Sequence, residues 1–599
     1  MFKLLKCLKW KDWLMFAISL FLIATQVWLD LKLPDYMKEI TELITTNLGE
    51  AGKIWTAGGY MILCALASAV LSLIVGFFAA RIGSSMGFFL REDIYNKVQS
   101  FSKNQINKFG TASLITRTTN DVSKVQSFVA MGLQVLVKAP ILAVWAIVKI
   151  AGKSWQWSVA TAGGVAILFV VILCIVLLCL PKFKKLQKQT DEINRVAREN
   201  LIGLRVVRAY NAEEYQGEKF EKVNDDLYQT NLFVNKRLIL FFPTITLIRS
   251  GLSLAIYWIG AYLINNANML DKINLFSDMI IFSSYAMQII MAFMMLVMMF
   301  MLLPRTIVSA RRINEILDCD SNINDGIGVV PTEEGTVEFK NVSFKYPDAD
   351  EYVLSDISFK ANKGETVAFI GSTGSGKSTL VDLVPRFYDV SEGSVLVDGN
   401  DVRDYKLDEL HNLIGYVSQK SVLFSGSVNE NVAFGESSSG KATEDDIRRA
   451  IKQAQAADFV EGMPNKYDSE ISQGGKNISG GQKQRLSIAR AFARNPEIFI
   501  FDDSFSALDY KTDSALRKTI NEELSDKTCL LVAQRIGTIK NADKIIVLDE
   551  GKMVGIGTHE ELLKNCKVYQ EIALSQLSKE ELWKIIINQK KPKILNLQW

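Results

Sequence analysis

The chain lacks several patterns that would place it in common protein classes. Its 599 residues carry a formal net charge of only +3, and no basic stripe with interleaved aromatics accompanies that charge, so nothing indicates nucleic-acid binding. The seven cysteines form no CxxC pair, and we interpret them as reduced and structural. No small-residue cleavage pattern follows the lysine-rich start before Asp30, so the first apolar run is predicted to be a retained span and not a secretory signal.

Long apolar runs are abundant in the first half. Hydrophobic residues make up 49% of the chain, and six segments have the length of a membrane span, which predicts a multi-pass protein of the lipid bilayer. The connections at 34–54, 152–157 and 265–275 hold only four lysines, whereas 80–128 and 181–237 are rich in lysine and arginine. This asymmetry predicts that both termini are cytoplasmic. The predicted spans are 13–33, 55–79, 129–151, 158–180, 238–264 and 276–303.

The two basic segments between spans are predicted to be helical hairpins. They hold few glycines and show helical periodicity, as in NRVARENLIGLRVVRAYNAEEY. At a rise of about 1.5 Å per residue, helices of about 20 residues would carry each tip roughly 30 Å below the bilayer. The tips are predicted near Gly110–Thr116 and Asn211–Tyr215, where each would present a short helix to a soluble domain.

The sixth span is rich in methionine, with eight of the chain's 17 methionines between Met279 and Met301. Flexible thioethers suit a surface that accepts differently shaped apolar ligands, but ordinary packing explains them equally well. Lys138, Lys149 and Arg249 lie within or at the ends of spans, where charge is costly. Snorkelling to an interface explains Lys149, and Lys138 and Arg249 are the better candidates for lining a cavity.

The second half contains a phosphate-binding pattern in its expected context. GSTGSGKST follows the apolar run ETVAFI and precedes a helix-like segment, so glycine-rich backbone N–H groups would close on phosphates at a helix start. Lys377 would hold the β and γ phosphates, Ser378 would reach Mg²⁺, and Asp502, which ends the strand EIFIFD, would hold the same ion. The predicted phosphate-binding residues are Gly371, Ser372, Thr373, Gly374, Ser375, Gly376, Lys377, Ser378 and Thr379.

The motif ISGGQ at 478–482 resembles the signature of ATP-binding cassette (ABC) transporters, and the other motifs of that family follow in order. The resemblance implies that Tyr346 stacks on adenine, and that Gln419 is the Q-loop residue and a Mg²⁺ ligand beside Ser378 and Asp502. The signature residues, which would act on a partner's ATP, are Ser479, Gly480, Gly481 and Gln482. The D-loop is formed by Ser506, Ala507, Leu508 and Asp509.

The same resemblance implies the fold and the division into domains. We expect an α-helical six-span membrane domain with long cytosolic helical hairpins, fused to an α/β P-loop nucleotide-binding domain with an antiparallel β subdomain and a helical subdomain. The membrane domain is predicted at 1–312, a linker at 313–335 and the ATP-binding cassette at 336–577. The tail, 578–599, resembles nothing that suggests a role.

Two positions depart from the family pattern. Asp503 stands where a catalytic glutamate is expected, and Gln534 stands at the H-loop position, where histidine is expected. Asp retains the charge but retracts it by about a bond length, and a misplacement of about 1 Å can cost roughly 10²-fold in rate. Glutamine donates a hydrogen bond but cannot carry a proton as histidine does. The chain's two histidines, His411 and His559, stand elsewhere in the cassette.

These departures resemble the degenerate-site subunit of heterodimeric multidrug exporters. We expect a bacterial inner-membrane transport ATPase that pairs with a different ABC half-transporter and exports hydrophobic or amphipathic compounds. Its own site would bind ATP and Mg²⁺ but hydrolyse poorly, while its signature completes the partner's site. The alternatives are a homodimeric lipid or peptide exporter with slow hydrolysis, and a nucleotide-gated sensor that does not pump.

Overall fold

A computed structural model describes residues 3–45, 51–151, 155–321, 323–347, 349–436 and 440–576. The tail, for which no role was predicted, lies outside these residues. The described residues form two compact units, the first up to residue 319 without 100–110, and the second made of 100–110 and the residues from 320 onward.

Long helices dominate the first 319 residues. Six of the described helices are long and apolar enough to cross a membrane, and each contains one predicted span, which confirms the six-span fold. An α-helix pairs its backbone N–H and C=O groups internally, so a continuous apolar helix can cross lipid without unpaired polar groups. The helices are α1 (Trp10–Thr45), α2 (Ala51–Gln99), α3 (Lys103–Phe109), α4 (Thr111–Thr116), α5 (Val122–Ala151), α6 (Trp155–Ile202), α7 (Leu204–Ala209), α8 (Glu213–Ile239), α9 (Phe241–Asn265) and α10 (Met269–Leu317).

The hairpin tips differ in part from their predicted positions. The first tip lies at Ser100–Gly110, before the predicted Gly110–Thr116, so that prediction was wrong by about ten residues. A capping box formed by Ser102 and Gln105 starts α3, and Gly110, with φ of 72°, ends it. The second tip lies between α7 and α8, and the positive φ of Asn211 marks its turn.

Ion pairs join the first span to the third. Lys138 Nζ lies 3.1 Å from an Asp30 carboxylate oxygen, and Lys149 Nζ lies 2.7 Å from one of Asp35. Tyr285 of α10 donates to Asp35 at 2.7 Å. Each cation is therefore compensated by a carboxylate from α1, which explains how these lysines are accommodated within or beside apolar helices.

The methionines of α10 occupy different environments. Met279 and Met299 are buried, and they pack where Gly260 and Gly132 leave room on neighbouring helices. Met291 and Met298 are exposed on the chain. Packing therefore accounts for the first pair, and the ligand-binding hypothesis concerns the remaining methionines.

The described residues of the second unit form three sheets. A six-stranded sheet has the order β12-β11-β3-β10-β9-β6 and is parallel except for β12, while a four-stranded antiparallel sheet has the order β2-β1-β4-β5. A two-stranded ladder pairs β7 with β8. The strands are β1 (Val337–Phe344), β2 (Leu354–Ala361), β3 (Thr366–Gly371), β4 (Glu392–Val397), β5 (Asn400–Asp401), β6 (Ile414–Val417), β7 (Gly426–Ser427), β8 (Glu470–Ile471), β9 (Ile498–Asp502), β10 (Thr528–Val532), β11 (Lys544–Asp549) and β12 (Lys552–Gly557).

Helices cover these sheets and form a separate helical group between β7 and β9. The neighbouring strands β9 and β10 are buried at every residue, as expected for parallel strands covered on both faces of a sheet. The predicted combination of α/β core, antiparallel β subdomain and helical subdomain is confirmed. The helices are α11 (Lys377–Asp382), α12 (Leu407–Leu413), α13 (Val428–Val432), α14 (Glu444–Gln453), α15 (Ala457–Glu461), α16 (Gly480–Ala493), α17 (Tyr510–Glu523), α18 (Ile536–Ile539), α19 (His559–Asn565) and α20 (Lys567–Gln576).

Candidate nucleotide-binding site

The parallel sheet brings the predicted site residues to one edge. In the strand register, Val532 of β10 pairs with Asp502 of β9, and Phe369 of β3 pairs with Val532. Because parallel strands end on the same side of a sheet, the loops that follow them meet there. These loops carry the glycine-rich segment, Asp503 and Gln534, and Gln419 follows the neighbouring β6.

The glycine-rich loop has the backbone conformation that a phosphate cradle requires. Gly374 and Gly376 have φ of 87° and 90°, which glycine adopts without steric cost. A Cβ at Gly376 would also come within 2.7 Å of the Leu354 side chain. Lys377 is nearly buried, and its Nζ donates to the carbonyl oxygens of Gly371 at 2.9 Å and Ser372 at 2.7 Å. The lysine is thus folded over the loop that would receive the phosphates.

Burial lowers the pKa of the Lys377 ammonium, and the negative charges of Asp503 and Asp502 oppose that shift. Both carboxyl groups have pKa values raised by their own burial. The site is therefore a desolvated group of one cation and two anions, in which charges interact more strongly than in water.

Ser378 and Asp502 form the part of the site that suits a magnesium ion. The Ser378 hydroxyl donates to Asp502 Oδ1 at 2.7 Å. Hydroxyl and carboxylate oxygens are ligands that Mg²⁺ accepts, usually together with phosphate oxygens and water. Within the described residues, no cluster of three or more His, Cys, Asp or Glu side chains could hold a metal. The donor set therefore fits an ion that arrives with a nucleotide.

Asp503 is held by the two predicted catalytic glutamines. Its Oδ2 accepts hydrogen bonds from Gln534 Nε2 at 2.8 Å and from Gln419 Nε2 at 3.2 Å. Its φ of 47° lies in the left-handed region, which aspartate tolerates better than most residues. The two amide donors stabilise the ionised carboxylate, and they oppose part of the rise in the Asp503 pKa that burial causes.

A cavity of about 250 Å³ adjoins this pair. It gives room beside Asp503 and Gln534 for a small group, although two of the carboxylate's lone pairs are already engaged. The lining residues are Asp503, Phe505, Ser506, Val532, Ala533, Gln534, Arg535 and Thr538.

Tyr346 lies beside the glycine-rich loop. Its hydroxyl forms a 2.9 Å hydrogen bond with Thr379 Oγ1, in the first turn of α11. Its ring packs edge to face against Phe344 and Tyr388, at centroid distances of 5.1 and 5.3 Å. These contacts fix the ring next to the phosphate cradle, where it can stack on a base.

The signature segment starts a helix at the protein surface. Ser479 is the N-cap of α16 and forms a capping box with Gln482, in which Ser479 Oγ accepts from Gln482 N at 3.3 Å. Gly480 has nothing within 4 Å of an added Cβ, so its surface is open. The segment therefore presents small residues and the start of a helix at an open surface.

The D-loop is tied to the signature helix. Ala507 N donates to the buried Gln484 Oε1 of α16 at 3.2 Å. Leu508 is buried, and Asp509 caps α17 by accepting from Thr512 N at 2.9 Å. Ser506 Oγ donates to the Asp503 carbonyl at 3.0 Å. The loop thus connects the signature helix to the residue at the candidate water-activating position.

Comparison with known families agrees with this arrangement. A model of the ABC transporter transmembrane region matches residues 16–308, and a model of the ABC transporter ATP-binding domain matches 354–506. An uncharacterized ABC transporter ATP-binding protein of Mycobacterium tuberculosis is 40% identical over 86% of the chain and 87% of that protein. The chain belongs to the ABC transporter family.

Further relatives match almost the full length of the chain, and a solved structure matches its fold. An uncharacterized Bacillus subtilis ABC transporter ATP-binding protein, YfiB, is 33% identical over 95% of the chain and 97% of that protein. A Staphylococcus aureus protein whose name proposes multidrug export is 32% identical over 81% of the chain and 82% of that protein. The fold matches a bacterial Atm1-family ABC exporter with ATP bound, with a TM-score of 0.79, 24% identity and coverage of 95% and 98%. This ABC transporter is a multi-pass membrane protein that joins one transmembrane region to one ATP-binding cassette.

Sequence reasoning missed three residues that support the candidate site of this ABC transporter. Gln484 holds the D-loop and Gln576 holds the H-loop, each through side-chain to backbone hydrogen bonds. Asp382, nearly buried at the end of α11, binds Lys103 Nζ at 2.6 Å and accepts from the Tyr416 hydroxyl at 3.0 Å. These contacts join residues that are far apart in the sequence, and they produce no periodic pattern of residue types. Only the motifs of the family could have suggested these three residues.

Proposed function

We propose that this ABC exporter is one subunit of a heterodimer with two ATP sites. The site built from this chain's glycine-rich loop, Asp502 and Asp503 holds ATP, and the partner's site, which this chain's signature completes, hydrolyses ATP. The observation that carries the proposal is the state of Asp503. This shortened carboxylate is engaged by Gln534 at 2.8 Å and by Gln419 at 3.2 Å. Both amides are permanent donors, and neither can accept a proton from an attacking water on the way to product.

The binding residues and the signature support a division of roles between two chains. The phosphate loop has its left-handed glycines and a buried lysine, and the signature retains an open helix start. Substitution is thus concentrated at the two positions that would act on the attacking water and the γ-phosphate. In this proposal, Ser378, Gln419 and Asp502 hold the Mg²⁺ that accompanies ATP, and Tyr346 stacks on adenine.

The transported class is proposed to be hydrophobic or amphipathic compounds. The similarity to a Staphylococcus aureus protein named for multidrug export supports this class. We also propose that the protein lies in a bacterial inner membrane with both termini in the cytoplasm, because lysine and arginine concentrate in the hairpin segments on that side.

Asymmetric substitution in the native complex tests the division of roles. Ser479→Arg should remove most ATP hydrolysis by the complex, since it blocks the signature that serves the partner's nucleotide. Asp503→Ala should leave at least about half of that hydrolysis, because the site containing Asp503 contributes little. The matched measurement is the ATPase rate of the co-purified complex at saturating ATP. Equal losses in the two variants would overturn the proposal.

A homodimer is the second candidate, because one chain carries both an intact phosphate loop and an intact signature. Two copies could therefore build two identical composite sites, each with Asp503. Purification from native membranes distinguishes the candidates, since a heterodimer brings a second cassette protein in equal amount. Full ATPase activity of the purified chain alone, at rates ordinary for ABC exporters, would favour the homodimer.

A further inference from the structure

The last described turn of α20 holds the loop that carries Gln534. Gln576 Nε2 donates to the main-chain oxygen of Gln534 at 2.7 Å, and Gln576 Oε1 accepts from the main-chain nitrogen of Ile536 at 2.8 Å. The two bonds lie on either side of Arg535, the N-cap of α18. One side-chain amide therefore fixes both ends of a three-residue backbone segment.

Packing fixes the orientation of α20 about its own axis, and this orientation brings Gln576 to the loop that carries Gln534. Tyr569, Ala573 and Gln576 are spaced by four and three residues, which places them on one face of the helix. Tyr569 and Ala573 are completely buried, and the Tyr569 hydroxyl bonds His559 Nδ1 at 2.6 Å. With that face held in the core, the last residue on it is directed at the H-loop.

The fixed segment leads directly to Asp503. Gln534 is held through its main-chain oxygen by Gln576, and its side chain donates to Asp503 Oδ2. We propose that Gln576 is a positioning residue, which holds the H-loop backbone so that the Gln534 amide is directed at Asp503 and at the γ-phosphate of bound ATP. The inference rests on the proposed function, in which Gln534 is the H-loop contact to that phosphate.

Discrimination between ATP and ADP tests this role, since only ATP has a γ-phosphate. The full-length chain in lipid nanodiscs with Mg²⁺ is titrated with ATP or ADP in competition with a fluorescent trinitrophenyl-ATP probe. Gln576→Ala should weaken ATP binding by about fivefold, the effect of losing roughly one well-formed hydrogen bond. ADP binding should stay within about twofold of the native value, because the contacts to its two phosphates come from the glycine-rich loop.

The same helix supplies the control. Gln570 also bonds backbone oxygens through its Nε2, at 2.8 Å to Leu563, but it does not contact the H-loop. Gln570→Ala should therefore leave the ATP-to-ADP affinity ratio unchanged. Gln576→Glu is a second variant, which retains an acceptor for Ile536 N but loses the donor to the Gln534 carbonyl, and it should also lower the ratio.

Comparison with Gln534→Ala separates this inference from the function on which it rests. The positioning role is supported if Gln534→Ala lowers the ATP-to-ADP affinity ratio and the double variant with Gln576→Ala lowers it no further. A Gln576→Ala variant that keeps the native ratio, or that weakens ATP and ADP equally, overturns the positioning role alone. A Gln534→Ala variant with the native ratio overturns the proposed γ-phosphate contact itself.

Discussion

Restoring the two departed positions together should convert the holding site into a hydrolytic one. Asp503→Glu advances the carboxylate by one methylene, and Gln534→His replaces a permanent amide donor with a group that can carry a proton. The structure indicates why both changes are needed. Gln534 Nε2 lies only 2.8 Å from Asp503 Oδ2, and Gln419 Nε2 lies only 3.2 Å from it. A longer carboxylate alone would therefore crowd two amide groups that are already at hydrogen-bond distance.

The expected gain follows from the geometry. A misplacement of about 1 Å costs roughly 10²-fold in rate, and recovering that factor corresponds to about 2.7 kcal/mol of transition-state stabilisation. We expect the double variant to hydrolyse ATP about 10²-fold faster than the native chain. Asp503→Glu alone should gain less, because Gln534 still occupies the space beside it.

Single-turnover hydrolysis by the purified full-length chain measures this gain, with excess protein over radiolabelled ATP. Adding Ser479→Arg to the double variant should abolish the gain, which would show that hydrolysis depends on a signature from a second copy. Lys377→Ala is the negative control, because it removes the ammonium group that is predicted to hold the phosphates of ATP. A double variant that binds ATP normally and self-associates, yet hydrolyses at the native rate, would refute the reasoning about Asp503 and Gln534.

Three further predictions concern charges at some distance from the candidate water-activating pair. Burial raises the pKa of Asp398 from 3.8 to about 6. Folding therefore favours the neutral carboxyl group, and the stability of the native chain falls as pH rises through 6 and the group ionises. The stability of Asp398→Asn relative to the native chain should then rise by about 1.4 kcal/mol between pH 5 and 7.5. Urea unfolding at both pH values checks this, and an unchanged difference would contradict it. Lys103→Ala should lower the melting temperature more than Lys108→Ala, by the equivalent of about 1 kcal/mol, because it leaves a buried carboxylate without its cation; scanning fluorimetry measures the difference, and equal melting temperatures would contradict it. In the membrane half, Asp30→Asn should cost more thermal stability in nanodiscs than Asp30→Asn combined with Lys138→Met, since the single change leaves a lone ammonium among apolar helices, and equal costs would argue against the pair.

Continuous patterns made much of the fold predictable. Each span was a long apolar run, and the strands β3 and β9 were short apolar runs followed by a glycine-rich loop and by an acidic pair. Asp502 was assigned to the nucleotide site from its strand and the glycine-rich loop, and Asp503 and Gln534 from the family motifs. In the structure they follow or end neighbouring parallel strands, whose ends meet at one edge of the sheet. Their catalytic roles, like the domain limits, remain predictions.

Contacts between distant positions were not predictable in the same way. The partner of Lys138 is Asp30 in another helix, and the amide that holds Gln534 comes from Gln576. A hairpin tip depends on which local cap forms: the Ser102 capping box starts a short helix that ends at Gly110, so the first tip lies before this glycine and not after it. These features are decided by tertiary packing or by competition among nearby turns, which the apolar pattern does not record.

The hydrogen bond from Ala507 N to Gln484 Oε1 restricts how this chain can evolve. Gln484 belongs to the helix that begins at the signature, and Ala507 lies four residues beyond Asp503. A mutation that shifts one of these elements alters the other, even though the proposal gives them duties toward two different nucleotides. A mutation that weakens catalysis at one nucleotide must therefore keep the D-loop backbone in place, or it also disturbs the signature helix. Side-chain exchanges such as those at 503 and 534 meet that condition.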